Sequence, residues 1–448
     1  MIKLFRCIII SFLFLGFLLL SPYCIFYAKG YRFDWQEKNF QKTGILDIKS
    51  NPSGGKIYLN SKLIKKFTPY KIENLLPKKY MLKIEKAGYK TWQNEIEIFS
   101  EKITSIDHII LLPENSLSKI FIKDNNLSDF LMSWNEKKIA YQIDAGSRQG
   151  LWVLDLASEK TIQIFKEFGF ERWQWSSDNK RIFLQKNDKA FVLFLDNTDF
   201  NNEKPQVHIQ DISLFLGKPV EQIEWDPRDK DRLFFLQNNT IFLLNLTSFY
   251  RYELLKNVKT FYIHNQIIHC ITKQGKNAKL VKLKLYQLDK IEEENAQIIS
   301  GDNYKLFIKD KNKIAYLADN NLYLIQEGLS VLLNKNIQNA QWSKDLLYYN
   351  DYEIWVYFMK NKKNELLTRV SQKLENIAWW PYSKYIIFSQ DKEIKFLECA
   401  EDLQRWHSYT FYNFQKVSNK ISFNRFGKVI WIIDGEEEKN LKELVVLE

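Results

Sequence analysis

Residues Trp175–Asp196 read WSSDNKRIFLQKNDKAFVLFLD. A Trp leads into a polar turn and a short apolar strand. A second polar turn leads into another apolar strand that ends on an acidic residue. The turn Ser176-Ser177-Asp178-Asn179 offers side-chain oxygens to nearby backbone N–H groups, the usual chemistry of a tight turn. Apolar runs of this length, bounded by turn residues, predict strands.

The pattern returns at a spacing of roughly 40 residues, the period of a repeat array. Trp134 leads into 138–142 and 151–156, Trp175 into 181–184 and 191–196, and Trp225 into 232–236 and 241–246. Weaker units start near Phe261 (267–270, 279–285) and Leu306 (313–317, 322–325). Trp342 leads into 346–349 and 353–357, and Trp379-Trp380 into 385–389 and 393–397. A last unit starts near Phe423, with strands at 428–432 and 443–447. A twisted four-stranded sheet cannot bury both faces alone, and stacking such sheets radially does so. The expected fold is therefore all-β, with residues 116–448 forming one closed β-propeller, of eight blades on this alignment and seven as the alternative. The Trp is expected to wedge between neighbouring blades. The last unit stops at Val446-Leu447 without an outer strand, and Lys119–Lys123 supplies a spare one. Pairing the two would remove a free edge.

The unit W-S-x-D-x-K-x-I-x-F followed by L-x-V-x-D-L resembles the TolB-like propeller repeat. Residues Trp175–Phe183 carry the first half and Leu151–Leu156 the second. Trp134-Asn135-Glu136 lacks the Ser, and some units lack the Trp.

The chain has 448 residues, 45% of them hydrophobic and 15% aromatic, enough for a sizeable core of packed strands. Gly is scarce, and Asn, Asp and Lys fill the turns. The net charge is +11. Its plain reading is a solvated lysine-rich surface; the sharper one is attraction to anionic wall polymers or lipid headgroups. No nucleic-acid module is recognisable, so no nucleic-acid partner is expected. Cys7 and Cys24 lie in the apolar N-terminal stretch, leaving Cys270 and Cys399, which is no disulfide framework. Two separate buried thiols are the plainer reading of that pair, a bridge the other.

Residues 1–6 carry Lys3 and Arg6 and read as a cytoplasmic N-terminus. Residues 7–28, CIIISFLFLGFLLLSPYCIFYA, contain no charge. As a helix they span roughly 33 Å, enough for a bilayer core of about 30 Å. The exit sites expected of a cleaved signal peptide are poor: Phe26 stands three before Ala28, and Tyr23 precedes Cys24. The expectation is an uncleaved anchor in the cell membrane, a single pass touching the lipid bilayer through residues 7–28. Tyr23, Tyr27, Tyr31 and Trp35 fit an interfacial belt. Flanking charge is nearly balanced, with Lys29, Arg32 and Lys38 on the far side, so the outside placement of the C-terminal domains leans on the β-rich remainder and the resemblances. Residues 29–43 read as a juxtamembrane linker.

Period-two alternation places strands at 45–49, 56–59, 80–85 and 94–99, with 103–112 closing a small sandwich over residues 44–113. This stretch resembles a PEGA domain. Pro52-Ser53-Gly54-Gly55 matches the name-giving turn, Asn60-Ser61-Lys62 the family's N-G-K hairpin, and Thr68-Pro69 its T-P. Leu75–Tyr80 matches L-x-P-G-x-Y and Lys86–Trp92 matches K-x-G-Y-x-x-W. Lys66-Phe67 and Lys78 stand where the family carries glycines. The resemblance implies an envelope-exposed module that contacts other surface components, without catalysis. Trp92 reads as core.

No catalytic, cofactor or metal site emerges. There is no G-x-S-x-G, H-E-x-x-H, C-x-x-C, EF-hand loop or phosphate loop. Gly54-Gly55 precedes a strand, so it reads as a turn. His264 and His269 need not share a face. Glu292–Glu294 and Glu436–Glu438 read as solvated loops. Trp379-Trp380-Pro381-Tyr382 and the aromatic link Trp406–Phe414 read as core, with sugar stacking and partner contact as the respective alternatives. The expected protein is a membrane-anchored, extracytoplasmic, non-enzymatic binding or scaffold protein with no cofactor. Its partner would be an envelope protein, a surface-layer component or an anionic wall polymer. The alternatives are a wall-glycan hydrolase or lyase and a subunit of an envelope assembly or transport complex.

Overall fold

The computed structural model describes residues 2–196, 207–381, 384–400, 406–415, 420–435 and 438–447. Tyr382, Glu436 and Glu437, named above, lie outside them. One long helix, Ile2–Ala28, opens the chain. Its stretch Ile10–Ala28 is long and apolar enough to cross a membrane, a property it shares with signal sequences. Among the described residues after it the regular structure is strand, apart from the one-turn helix Ser213–Leu216.

The stretch expected as a linker folds into a hairpin, Tyr31–Asp34 against Asn39–Lys42. The Gln36 N–H donates to Asp34 Oδ1 at 2.9 Å and holds the turn. Phe40 stacks on Phe26 of the helix and meets Phe33 edge-on. Aromatic contact thus orders a segment whose polar composition reads as loop.

The small module is a sandwich of two sheets. Strand Gly44–Asn51 lies between Tyr70–Leu75 and the parallel Ile103–Ile110. The other sheet runs Lys62–Phe67, Lys56–Leu59, Lys79–Glu85, Trp92–Glu97. Leu46, Ile57, Leu82, Ile84 and Trp92 are among the buried residues between the layers. Asn60 and Ser61 both take positive φ, the two-residue hairpin turn whose twist suits the flanking strands. A Cβ on Gly55 would stand 2.5 Å from the Ile84 Cγ2 atom, so only Gly fits there.

From residue 118 to 445 the described strands form eight four-stranded antiparallel sheets. Seven are simple meanders. The eighth takes Ile421–Phe423, Val429–Asp434 and Asn440–Val445 from the far end of the chain, then Ser118–Lys123 as its outer strand, paired to Asn440–Val445. An apolar cluster fills each junction between consecutive sheets. The eighth cluster joins the last sheet, through Trp431 and Leu441, to Phe130 and Tyr141 of the first. The succession of contacts therefore returns to its start.

The repeat Trp does the wedging. Trp175 Nε1 donates to Leu131 O at 3.0 Å, Trp342 Nε1 to Phe307 O at 3.0 Å, and Trp379 Nε1 to Gln341 O at 3.2 Å. Each bond runs from one sheet's first strand to the preceding sheet's first strand. Trp134 is the exception: Met132 holds the place of Trp175, pairing with Ile139 as Trp175 pairs with Ile182, and Trp134 stands two residues on in the turn, 66% exposed, its indole donating to Trp175 O.

The two β units are packed together. Glu398, fully buried in strand Glu393–Glu398, accepts from Trp92 Nε1 of the sandwich at 3.1 Å and from the Tyr385 hydroxyl at 3.2 Å. His108 Nε2 of the sandwich stands 3.2 Å from the same oxygen. Tyr409 packs against the cores of both units. The aromatic link around residues 406–414 is thus core at Phe411 and Phe414 and an inter-module contact at Tyr409.

Candidate functional site

First strands in this array are mixed in polarity, because each is an edge strand that pairs on one side only, with the second strand of its own sheet. Four of them converge on a cavity of about 820 Å³: Gln222–Trp225, Val258–His264, Tyr304–Asp310 and Asn339–Trp342. Glu224, Tyr262, His264, Lys305, Lys309 and Trp342 are among the side chains with chemistry on its walls. A second cavity of about 440 Å³ shares Glu224 and His264 with it and extends to Gln174, Trp225 and Trp134. The two volumes meet at those shared residues.

Polar side chains from the first strands hold the walls in register. Gln174 Nε2 donates to Glu224 Oε2 at 3.1 Å, and Gln222 Nε2 to Phe261 O at 2.6 Å. The Trp379 N–H donates to Gln341 Oε1 at 3.0 Å. Burial pushes the Glu224 carboxyl above the usual range, and the Gln174 amide only partly offsets it. Lys305 opens onto the cavity, yet the surrounding walls strip enough water to lower its pKa, and among the described residues no carboxylate counters the effect. Burial and the Glu224 charge raise Tyr262. The cavity's two carboxylates, Glu221 and Glu224, come from one sheet.

His264 and His269 do share a face. Tyr262 pairs opposite His269, and Tyr262 and His264 stack on the same side of their strand. His264 lines the cavity while His269 sits buried behind it. Among the described residues no group of three His, Cys, Asp or Glu side chains could hold a metal. Cys270 and Cys399 lie in the apolar clusters of different sheets, and no disulfide joins them.

Glu292–Glu294 form no loop. They stand in strand Gln287–Ile298, where Lys284, Lys279 and Lys282 of the adjacent strand pair with Glu292, Glu293 and Glu294. An ion-pair ladder across strands gives those charges partners a loop would lack. Trp379 and Trp380 are buried. The cavity residues were not visible as motifs. One signal pointed to them: the residue before the repeat Trp is Gln174, Glu224 or Gln341, polar where a core strand wants apolar.

The PEGA domain family matches residues 43–110. No curated protein matches the chain. Among solved structures, the Dos1 propeller aligns with a TM-score of 0.52 at 10% identity, covering 73% of this chain and 95% of that one. The crystal structure of Porphyromonas gingivalis dipeptidyl peptidase 4 aligns with a TM-score of 0.47 at 12% identity, over 73% of this chain and 60% of that one. At 10% identity the likeness to the Dos1 propeller concerns the fold alone, a propeller-like array that follows the stretch matched by the PEGA family.

Proposed function

We propose that this is a membrane-anchored, extracytoplasmic scaffold protein whose propeller binds an envelope component and has no catalytic role. On this reading the eight sheets are the eight blades of a closed, TolB-like propeller, and the cavity is part of its central channel. The N-terminal helix holds the protein in the cell membrane with residues 1–6 inside. The PEGA domain, bound firmly to the blades through Glu398, sets their position relative to the anchor. The observation that carries the reading is the open cavity itself, whose walls combine aromatic rings with a few fixed polar groups, the usual make-up of a recognition site.

A wall-glycan hydrolase is the second reading, and Glu224 favours it, since a carboxyl raised by burial suits a general acid. A glycosidase pair wants two carboxylates facing each other across the substrate. Glu221 and Glu224 instead come from the same sheet, three residues apart in the chain.

The test is a pull-down with the full chain in detergent micelles, incubated with envelope extract from the source organism. Retention of one protein species through moderate salt supports the scaffold. Binding to wall polymer that vanishes with salt means that surface charge dominates. Release of soluble wall fragments without retention overturns the scaffold in favour of the hydrolase.

A further inference from the structure

The two cavities form one trough with different chemistry at its ends. At one end stands Trp134, open to solvent over most of its surface and fixed by the bond from its indole N–H to Trp175 O at 3.2 Å. The repeat Trp residues Trp175, Trp225 and Trp379 are buried. An indole that is both exposed and held in place offers a flat apolar face with little ordering cost on binding. Half-buried Trp342 and exposed Tyr262 add ring surface along the larger cavity.

At the other end the charge is positive and poorly neutralised. Lys305 and Lys309 belong to one strand and Lys259 to the first strand of the preceding sheet, all on the larger cavity. Lys259 Nζ donates to Asn239 Oδ1 and Lys309 Nζ to Ser343 O, both uncharged acceptors. Among the described residues no carboxylate pairs with Lys305, whose ammonium lies over the Phe307 ring at 5.6 Å. Of the two carboxylates on the wall, Glu224 is itself biased toward its neutral form by burial. A cation lodged between low-dielectric walls attracts an anion more strongly than one on an open surface. At about 820 Å³ the larger cavity has the capacity usual for a small-molecule or short-oligomer site.

We propose that the trough binds an anionic sugar, with a ring face on Trp134 or Trp342 and the acid group between Lys305 and Lys309. The sugar's C–H face covers the indole while its hydroxyls meet Gln174, Gln341 and His264. The acid group takes the charge-assisted contacts that the lysines lack. This rests on the binding reading above and names the ligand of that site. A carboxylated sugar and a phosphorylated sugar share the chemistry, and the experiment separates them.

The full chain in detergent micelles is titrated by calorimetry and tryptophan fluorescence with trigalacturonate, with its fully methyl-esterified form, and with glucose 6-phosphate. Saturable binding of an acidic probe, absent for the neutral ester, is the expected result. Trigalacturonate alone assigns a carboxylated ligand, and glucose 6-phosphate alone a phosphorylated one. Lys305→Met should weaken that binding about tenfold, as loss of one charge-assisted contact does. Trp134→Ala should weaken it and remove part of the fluorescence change. Lys276→Met, at a turn that lines neither cavity, should bind as the parent does. Failure of both acidic probes, equal binding of acid and ester, or unchanged binding by Lys305→Met with an unchanged melting temperature overturns the inference. An envelope protein retained in the pull-down while every sugar fails leaves the scaffold standing and this ligand excluded.

Discussion

Trp92 of the PEGA domain donates its indole N–H to Glu398 of the propeller-like array at 3.1 Å, at a point no solvent reaches. The same oxygen accepts from Tyr385 and faces His108, while the other, Oε2, receives no hydrogen bond among the described residues. One carboxylate therefore serves donors from both units. Glu398→Ala would leave the Trp92 indole N–H buried without its acceptor, a loss of about 1–3 kcal/mol. Glu398→Gln keeps an acceptor in place and should cost less. Thermal melting with limited proteolysis of the junction checks this: the Ala variant should melt lower and be cut there sooner, the Gln variant lying between it and the parent.

The repeat Trp residues differ in what they hold. Trp175 is buried and bonds Leu131 O of the preceding sheet. Trp175→Phe keeps most of the ring but orphans that carbonyl, at a cost of about 1–3 kcal/mol. Trp134→Ala removes a mostly exposed ring and should change stability by less than about 1 kcal/mol. Urea unfolding of the two variants should give clearly different midpoints.

His269 couples stability to pH. Burial, helped by Lys282 opposite it and by His264, depresses it from the ordinary 6.5 to about 4. Above pH 6.5 both folded and unfolded chains keep it neutral, so its full contribution is present. As pH falls from 6.5 toward 4 the unfolded chain takes up the proton and the folded one does not. Stability then drops, by about 3 kcal/mol once both would be charged. Tm measured across that window should fall less steeply for His269→Gln than for the parent.

Gly55 has no room for a side chain, since its Cβ would meet Ile84 at 2.5 Å. Gly55→Ala should destabilise the sandwich by about 1–3 kcal/mol through overpacking. Gly275→Ala, at a turn with nothing within 4 Å but with positive φ, should cost only the smaller backbone penalty. Comparing the two melting curves separates steric clash from backbone conformation.

Strands buried on both faces were legible as unbroken apolar runs, and Leu346–Tyr349 falls where expected; Lys56–Leu59, buried at every second residue, was legible by its alternation. Outer strands such as Leu329–Asn334 and the sandwich's Lys62–Phe67 were not. They are exposed along much of their length, so no core face imposes alternation on their sequence. First strands such as Tyr304–Asp310 were equally obscure, since Lys305 and Lys309 answer to the cavity while Leu306 and Ile308 answer to the core. The cavity escaped notice for the same reason. Its residues come from four repeats, one or two from each, and no stretch of chain contains enough of them to form a motif.

Ser118–Lys123 pairs with a strand made more than three hundred residues later. At about 5–20 residues per second, it leaves the ribosome some tens of seconds before its partner exists. Through that interval it is a nascent edge with open backbone groups, competent to join whatever strand passes by. Its sequence SKIFIK places Lys119 and Lys123 on either side of the apolar core of the strand, and charged edges discourage chance pairing. The seam is complete only when Asn440–Val445 pairs with that strand.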